Sequence, residues 1–270
     1  MIKVLGLMTC FNRKDKTVKA LTGLILGNPE IQFSFVVADD GSSDGTFEAL
    51  QEFSNVTTLR GDGNLFYSGG MRLAIAKAKE SVEAYDYCLL FNDDVDFYPS
   101  AIEELCKKEA GVIWVGPTSD EKGQLSYGGV RKISSLRPKT EIVMADTEEG
   151  TVCDTFNANC VLIPWGIFKN LDNMDSVYTH SMGDFDYGYS ASRSGVKIKV
   201  SDKFVGVCPD NPVAVTWRNT ELSRKERLRR KESPKGLPRK EWFHYLKKNY
   251  NVFTAIVYSV IPYLRIVFKK

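Results

Sequence analysis

Histidine is nearly absent from this 270-residue chain, which carries only His180 and His244. None of its six cysteines stands in a CxxC pair. A zinc centre, which draws on clustered Cys and His, is therefore not expected. No uninterrupted apolar stretch of about 20 residues occurs, which argues against a membrane-spanning helix. The opening MIKVLGLMTC is too short for a signal peptide and lacks a small-residue cleavage site, so it reads as a first strand. A GxGxxG turn after that strand is missing, which counts against a nicotinamide enzyme, and no GxxxxGK[ST] loop marks a P-loop ATPase. Net charge is small, at +2.

What is present fits an ordinary globular protein: 43% apolar and 26% charged residues, enough for one large core. Cys10, Cys88 and Cys160 sit in apolar runs and read as small buried hydrophobes, a pattern suited to a reducing, cytoplasmic compartment. The charge is unevenly spread, with twelve Lys and Arg between Arg218 and Lys248. Such a stretch suits a solvated helical face, a phosphorylated substrate or an anionic lipid surface. Few aromatics interleave it, so no nucleic-acid partner is expected.

Strand and helix patterns alternate through the first half. Residues 2–8 read as a buried strand, and Lys14–Leu26 as a helix with Val18, Leu21, Leu24 and Ile25 at helical spacing. Strands are expected over Gln32–Ala38, Val56–Arg60 and Tyr87–Phe91, with helices over Thr46–Phe53 and Gly70–Ser81. Beyond these come a helix over Pro99–Lys108 and strands over Gly111–Pro117, Phe156–Pro164 and Lys197–Phe204. A helix over Asp184–Ser194 completes the set. The alternation implies parallel strands joined by crossover helices. Ligand sites in such sheets lie at the carboxyl ends of the strands, where this chain carries Thr9, Asp39 and Asp94.

Three acidic clusters carry the candidate chemistry. FNDDVDF places Asp93, Asp94 and Asp96 directly after an apolar strand. Crowded carboxylates repel one another unless a cation or proton offsets them. Mg2+ or Mn2+ prefers such oxygen ligands and can bridge a diphosphate, and Asp94 is the preferred ligand. Asp39-Asp40-Gly41-Ser42-Ser43-Asp44-Gly45 could hold a base or ribose through Asp39, while Ser43 or Asp44 caps the next helix. Gly61-Asp62-Gly63-Asn64 and Gly69-Gly70 flank an aromatic segment before a helix whose N-terminus could receive phosphate. In Gly183-Asp184-Phe185-Asp186, Asp184 could be a general base with Asp186 a second candidate or the group that orients a helix end or side chain; the alternative is a helix N-cap at Asp184 followed by a favourable charge in the first turn. His244 is either a plain helix residue or a metal or diphosphate contact.

Taken in order, these segments resemble family 2 of the glycosyltransferases. The match runs from Leu7-Met8-Thr9-Cys10-Phe11-Asn12-Arg13 through Val37–Thr46, Gly63-Asn64, Gly69-Gly70 and Leu90–Asp94. It continues through Asn157-Ala158-Asn159 with Leu162-Ile163-Pro164 and ends at Gly183–Gly188, covering about residues 1–210. The nearest branch is the rhamnosyltransferase-like one of bacterial surface polysaccharide synthesis. The resemblance implies a GT-A α/β fold: a mostly parallel nucleotide-binding sheet flanked by helices over 1–215, with a helical tail over 216–270. It implies that Thr9 lines the base pocket, that Asp39 contacts base or ribose, and that Asn64, Gly70 and Asp93 sit near the donor. Asp94 would bind Mn2+ or Mg2+, and Asp184 would be the base of an inverting transfer. The expected donor is a UDP- or dTDP-linked sugar, and the acceptor a saccharide or lipid-linked saccharide. Two positions depart from the family pattern: Gly183 stands where Glu is usual, and Ser190 where Arg is.

The tail segment NVFTAIVYSVIPYLRIVFKK is apolar and aromatic, is broken by Pro262 and ends in Lys269-Lys270. It suits a segment lying on an anionic inner membrane surface. Packing on the core, or on a second copy in a homodimer, suits it equally. Two other functions fit part of the pattern. A sugar-phosphate nucleotidyltransferase would need a glycine- and basic-rich loop near the first strand, where this chain has Thr9–Arg13. A non-catalytic carbohydrate-binding or scaffold protein would keep the fold without turnover.

Overall fold

The computed structural model describes residues 1–209 and 216–268. The chain opens with β1 (Ile2–Cys10), α1 (Lys14–Gly27), β2 (Ile31–Asp39), α2 (Thr46–Gln51), β3 (Val56–Arg60), α3 (Phe66–Lys79) and β4 (Tyr87–Phe91). β1 pairs in parallel with β2 on one side and with β4 on the other, and β2 pairs in parallel with β3. The central strands β1 and β4 are largely apolar on both faces because helices cover both. On β1, Leu5 and Leu7 face Met71, Ala74 and Ile75 of α3, while Val4 and Met8 face Leu21 and Leu24 of α1.

The succession β1, β2, β3 runs outward to one edge, and β4 then returns to the other side of β1. That reversal opens a crevice between the carboxyl ends of β1 and β4, the place where open α/β sheets bind ligands.

The chain continues through β5 (Asp96–Phe97), α4 (Ala101–Cys106), β6 (Ile113–Val115), β7 (Thr118–Ser119), β8 (Leu125–Tyr127), β9 (Gly129–Lys132), β10 (Thr140–Val143), β11 (Thr151–Val152) and β12 (Thr155–Phe156). It then forms β13 (Cys160–Pro164), α5 (Trp165–Asn170), α6 (Gly183–Arg193), β14 (Ile198–Val200) and β15 (Gly206–Val207). The main sheet has eight strands in the order β11-β14-β6-β13-β4-β1-β2-β3. β13 runs antiparallel to both β4 and β6, so the sheet is mostly, not wholly, parallel. Two small sheets, β10-β9-β12 and β5-β15-β7-β8, frame the carboxyl side. They account for the mixed segment between 118 and 150.

Three helices follow: α7 (Arg224–Glu232), α8 (Arg239–Asn249) and α9 (Val252–Phe268). They pack on the α/β layers through an aromatic cluster in which Tyr178, Met182 and Tyr189 meet Tyr245, Leu246 and Ala255. The expected boundary at residue 215 lies outside the described residues, as does the closing Lys269-Lys270. The basic stretch is not simply a solvated face, because Arg227 and Lys231 are buried. Arg227 donates to the Trp217 carbonyl at 3.2 Å, and the Lys231 ammonium lies 3.9 Å from the Tyr263 ring centre. No described helix is long and apolar enough to cross a membrane.

Three sequence expectations shift. Helix α3 begins at Phe66 rather than near Gly70, so Gly69 and Gly70 lie inside it and not at a phosphate-receiving end. Small residues serve there for close packing: a Cβ on Gly70 would come within 2.0 Å of Thr9 Oγ1. The strand expected over Phe156–Pro164 is two strands, parted by a turn at Asn157–Asn159. Asp184 is not the cap of α6, since Met182 takes that position in a left-handed conformation, with φ of 68°.

Candidate active site

Four loops converge on the crevice. After β1, Arg13 reaches across to the loop after β4, donating to Asp93 Oδ1 at 2.8 Å and Asp94 Oδ2 at 3.2 Å. Asp93 is buried and also accepts from Thr17 Oγ1 at 3.2 Å. Burial pushes the Asp93 carboxyl up, opposed by the Arg13 charge and hydrogen bond. Asp94 is more open; besides Arg13 it meets the Cys208 thiol, which donates to Oδ1 at 3.7 Å. Asp96, exposed on β5, pairs instead with Lys19.

After β2, Asp39 is fully buried. Its Oδ1 accepts from the amide of Ser42 at 3.1 Å and from the Ser42 hydroxyl, while its Oδ2 has no partner among the described residues. Ser42 Oγ in turn accepts from the Asn12 amide at 2.8 Å, which locks this loop to the one carrying Arg13. Thr9 donates to the Ala38 carbonyl and packs under Gly70. Asp44 accepts from the amides of Lys14 and Thr46, tying down the starts of α1 and α2.

The loop before α3 is held by Asp40, whose carboxylate accepts from the amides of Gly63, Leu65 and Phe66 at 3.0, 3.1 and 2.9 Å. Gly41 there needs the left-handed backbone, with φ of +76°, and a side chain would meet Gly63 N at 3.1 Å. Asn64 sits exposed at the rim of this loop, its amide donating to Asp62. The next aromatic, Tyr67, has a buried hydroxyl without a hydrogen-bond partner among the described residues. Burial, and then the nearby negative charges of Asp184 and Asp94, hold that phenol well above its ordinary pKa. His180 faces the same corner, its Nδ1 accepting from the Tyr67 amide at 3.4 Å. Burial, with Lys235 and Arg13 nearby, lowers its pKa to about 4, so it is a neutral ring at pH 7.

The last contributor is the first turn of α6. Asp184 accepts from its neighbour's amide, Phe185 N, at 2.9 Å and from Ala158 N at 3.3 Å. Desolvation raises its pKa from 3.8 to about 6 against those two bonds. Among the described residues no cation pairs with it. Ala158 belongs to the 157–159 turn, and Asn159 donates to the Cys208 sulfur that touches Asp94, so the turn links Asp184 to Asp94. Asp186 has a different fate: it is buried, accepting from Lys248 Nζ at 2.7 Å and Asn249 Nδ2 at 2.8 Å. His244 is likewise spoken for, its Nε2 lying 2.9 Å from Asp175 Oδ2. Partial burial works against the Asp175 carboxylate, yet hydrogen bonds from Lys248, the Val177 amide and His244 hold it down to about 2.

Both departures from the family pattern have a local reading. A side chain on Gly183 would bring its Cβ within 2.3 Å of Ser68 Oγ. At Ser190, Arg193 reaches back and donates to the hydroxyl at 2.8 Å. The sequence assigns no role to Arg13 or Asp40, and offers Tyr67 only as an aromatic that could shape a pocket. Arg13 was the most findable, as the first cation past the β1 exit.

The model of glycosyl transferase family 2 matches residues 7–159, more than half of the chain. The chain belongs to glycosyltransferase family 2. No curated protein sequence matches it. Among solved structures, the mannosyltransferase PcManGT from Pyrobaculum calidifontis, in complex with GDP-Man and Mn2+, aligns with a TM-score of 0.53 at 12% identity. That alignment covers 98% of this chain and 72% of the other. S. aureus TarS aligns at 0.60 and 13% identity, covering 98% of this chain and 55% of TarS. TarS 1-349 in complex with UDP-GlcNAc aligns at 0.59 and 12% identity, covering 98% and 90%. At such identities the likeness is one of fold, and it agrees with the GT-A-like sheet order of this transferase.

Proposed function

We propose that the transferase moves a sugar from a nucleoside diphosphate donor to an acceptor hydroxyl with inversion, and that Asp184 is its general base. The observation that carries this is the state of Asp184. It stands beside the crevice with no cationic partner among the described residues and a pKa raised to about 6, so at neutral pH it is ionised yet a better proton acceptor than an ordinary aspartate. Asp186, the alternative, is committed to Lys248 and Asn249 and has no free face for a substrate.

Asp39 fits the nucleoside end. Its unpartnered buried Oδ2 suits an N–H or O–H donor from base or ribose, since a buried acceptor without a partner is costly. Thr9, one residue before the β1 partner of Asp39, and Asn64, at the exposed rim, would extend this nucleoside side, with Gly70 packed against Thr9. Asp94 fits a divalent metal, Mn2+ or Mg2+. Among the described residues no three His, Cys, Asp or Glu gather into a ready-made cage. A single open carboxylate suits the mode in which substrate phosphates complete the shell. When bound, the metal would offset charge on the departing diphosphate. Arg13 holds Asp93 and Asp94 in place and brings a cation to the same spot.

The chemistry is then a single displacement. The acceptor oxygen bonds to the anomeric carbon while the carbon–oxygen bond to the diphosphate breaks. Asp184 takes the acceptor proton, and the nucleoside diphosphate leaves from the opposite face. A saccharide or lipid-linked saccharide is the acceptor, and the rhamnosyltransferase-like branch is the narrower reading, which directs the donor search to dTDP- and UDP-sugars. A titration with UDP-, dTDP- and GDP-sugars, with and without Mn2+ or Mg2+, tests the site. Metal-dependent binding of one donor, lost in Asp94→Ala, is expected. A folded protein that binds no donor would return weight to a nucleotidyltransferase or a non-catalytic carbohydrate-binding protein.

A further inference from the structure

Helix α9 is amphipathic in the reverse sense for a helix of a water-exposed surface. Its covered side carries mostly small or polar groups, Thr254, Ala255, Ser259 and Pro262, together with Ile266. Its outward side carries the large apolar ones: Phe253, Ile256, Val260, Leu264, Val267 and Phe268, with Phe253 72% and Phe268 78% exposed. At 100° per residue these exposed apolar positions fill an arc of about 120° with no polar interruption. Isolated exposed hydrophobes are normal, whereas a continuous stripe marks an interaction surface.

A second element extends the stripe. Thr254 Oγ1 donates to the Leu136 carbonyl at 3.0 Å, docking the loop after β9 against the first turn of α9. In that loop Ile133 and Leu136 are exposed, Leu136 by 68%, beside the exposed cations Arg137 and Lys139. Neither 131–139 nor 251–270 contains a carboxylate side chain. Charge is segregated on the scale of the whole chain. Residues 216–270 hold 15 Lys and Arg against 4 Asp and Glu, and residues 1–215 hold 21 against 30.

From these features we infer that the outward face of α9 and the 133–139 loop lie in the headgroup region of an anionic lipid bilayer. A protein partner would need complementary shape along a convex helix. A bilayer needs only an apolar stripe with bordering cations and no carboxylate on the inserted segments, and α9 with the 133–139 loop meets these needs, Glu232 beside Tyr263 and Glu141 on β10 lying outside those segments. The surface is argued independently of the donor chemistry. Its consequence, a lipid-linked acceptor delivered beside the crevice, rests on the transfer reading.

The test is co-sedimentation of the full chain with phosphatidylcholine vesicles, with and without phosphatidylglycerol, across a salt series. Pelleting with the anionic vesicles and release by salt are expected. The triple variant Phe253→Ser, Val260→Ser, Leu264→Ser should partition at least about tenfold less well, with an unchanged melting transition because all three side chains face outward. Arg137→Glu with Lys139→Glu should weaken pelleting without touching the apolar stripe. A folded wild-type protein that stays in the supernatant would overturn the inference. So would a solution dimer that the triple variant converts to monomer without any vesicle binding, which would assign the stripe to a second copy. Donor titration in vesicle-free buffer reports on the catalytic site separately, so the two readings fail independently.

Discussion

Replacing Asp184 by an asparagine should slow transfer and strengthen the fold at the same time. Holding a carboxyl at about 6 instead of 3.8 corresponds to roughly 3 kcal/mol of disfavoured charge in the native state. The sign follows from proton binding. Between about pH 4 and 6 the native protein holds a proton on Asp184 that the unfolded chain has released, so stability falls as pH rises through this window. Above pH 6 the full cost is present. The neutral amide of Asp184→Asn would remove it but could accept from only one of the two amides now bonded to the carboxylate, which returns about 1 kcal/mol. Solvent contact at the crevice trims the remainder, leaving a net gain of about 1–2 kcal/mol at pH 8. Urea unfolding of both proteins at pH 8 and at pH 4 reads this as a double difference that cancels every other titrating group. The advantage of the variant should disappear at pH 4, and kcat should fall by about 10²–10⁴-fold at pH 8. A variant that is less stable than wild type at both pH values by the same amount would refute the reasoning, because the carboxylate would then be a structural acceptor and not a charge held at a cost. The same titration predicts that wild-type kcat/KM declines below about pH 6 as Asp184 protonates, measurable with a saturating metal concentration.

Other substitutions follow from the contacts around the crevice. Gly70→Ala should lower stability by about 1–3 kcal/mol, read as a drop in Tm, because its Cβ would meet Thr9 Oγ1 and the Thr9 side chain behind it. Asp186→Ala should cost about 3 kcal/mol in urea unfolding by leaving Lys248 and Asn249 without their buried acceptor, and kcat of the folded fraction should fall as well, because the first turn of α6 loses its tie to α8. Asp39→Ala should weaken nucleoside diphosphate binding by calorimetry while leaving metal dependence in place, which separates the nucleoside end from Asp94.

The parallel half of the fold was readable because its signals were strong and local. The apolar run Tyr87–Phe91 and the strand Val56–Arg60 fall where the pattern puts them. The helix-and-strand alternation fixes the crevice at the carboxyl ends. Legibility stopped where packing at a distance decides. Two glycines before a helical run suggest a helix start, but Asp40, far back in the chain, accepts from the Phe66 amide, and the helix starts there and takes in Gly69 and Gly70. Alternation of Asn157 and Asn159 with apolar neighbours mimics a strand, whereas the turn there supplies an amide to Asp184. Asp184 ranks ahead of Asp186 in the sequence only through the family resemblance, because Lys248, the partner that takes up Asp186, lies on a helix 62 positions after it.

That separation has a practical consequence for chimeras. The first turn of α6 presents one carboxylate to the crevice and fastens the other to α8, so the aim of Asp184 is tied to the seating of the tail. A tail grafted from another family member would have to bring its own counterparts of Lys248 and Asn249, or the turn that aims Asp184 would lose its anchor even with every residue of the crevice intact.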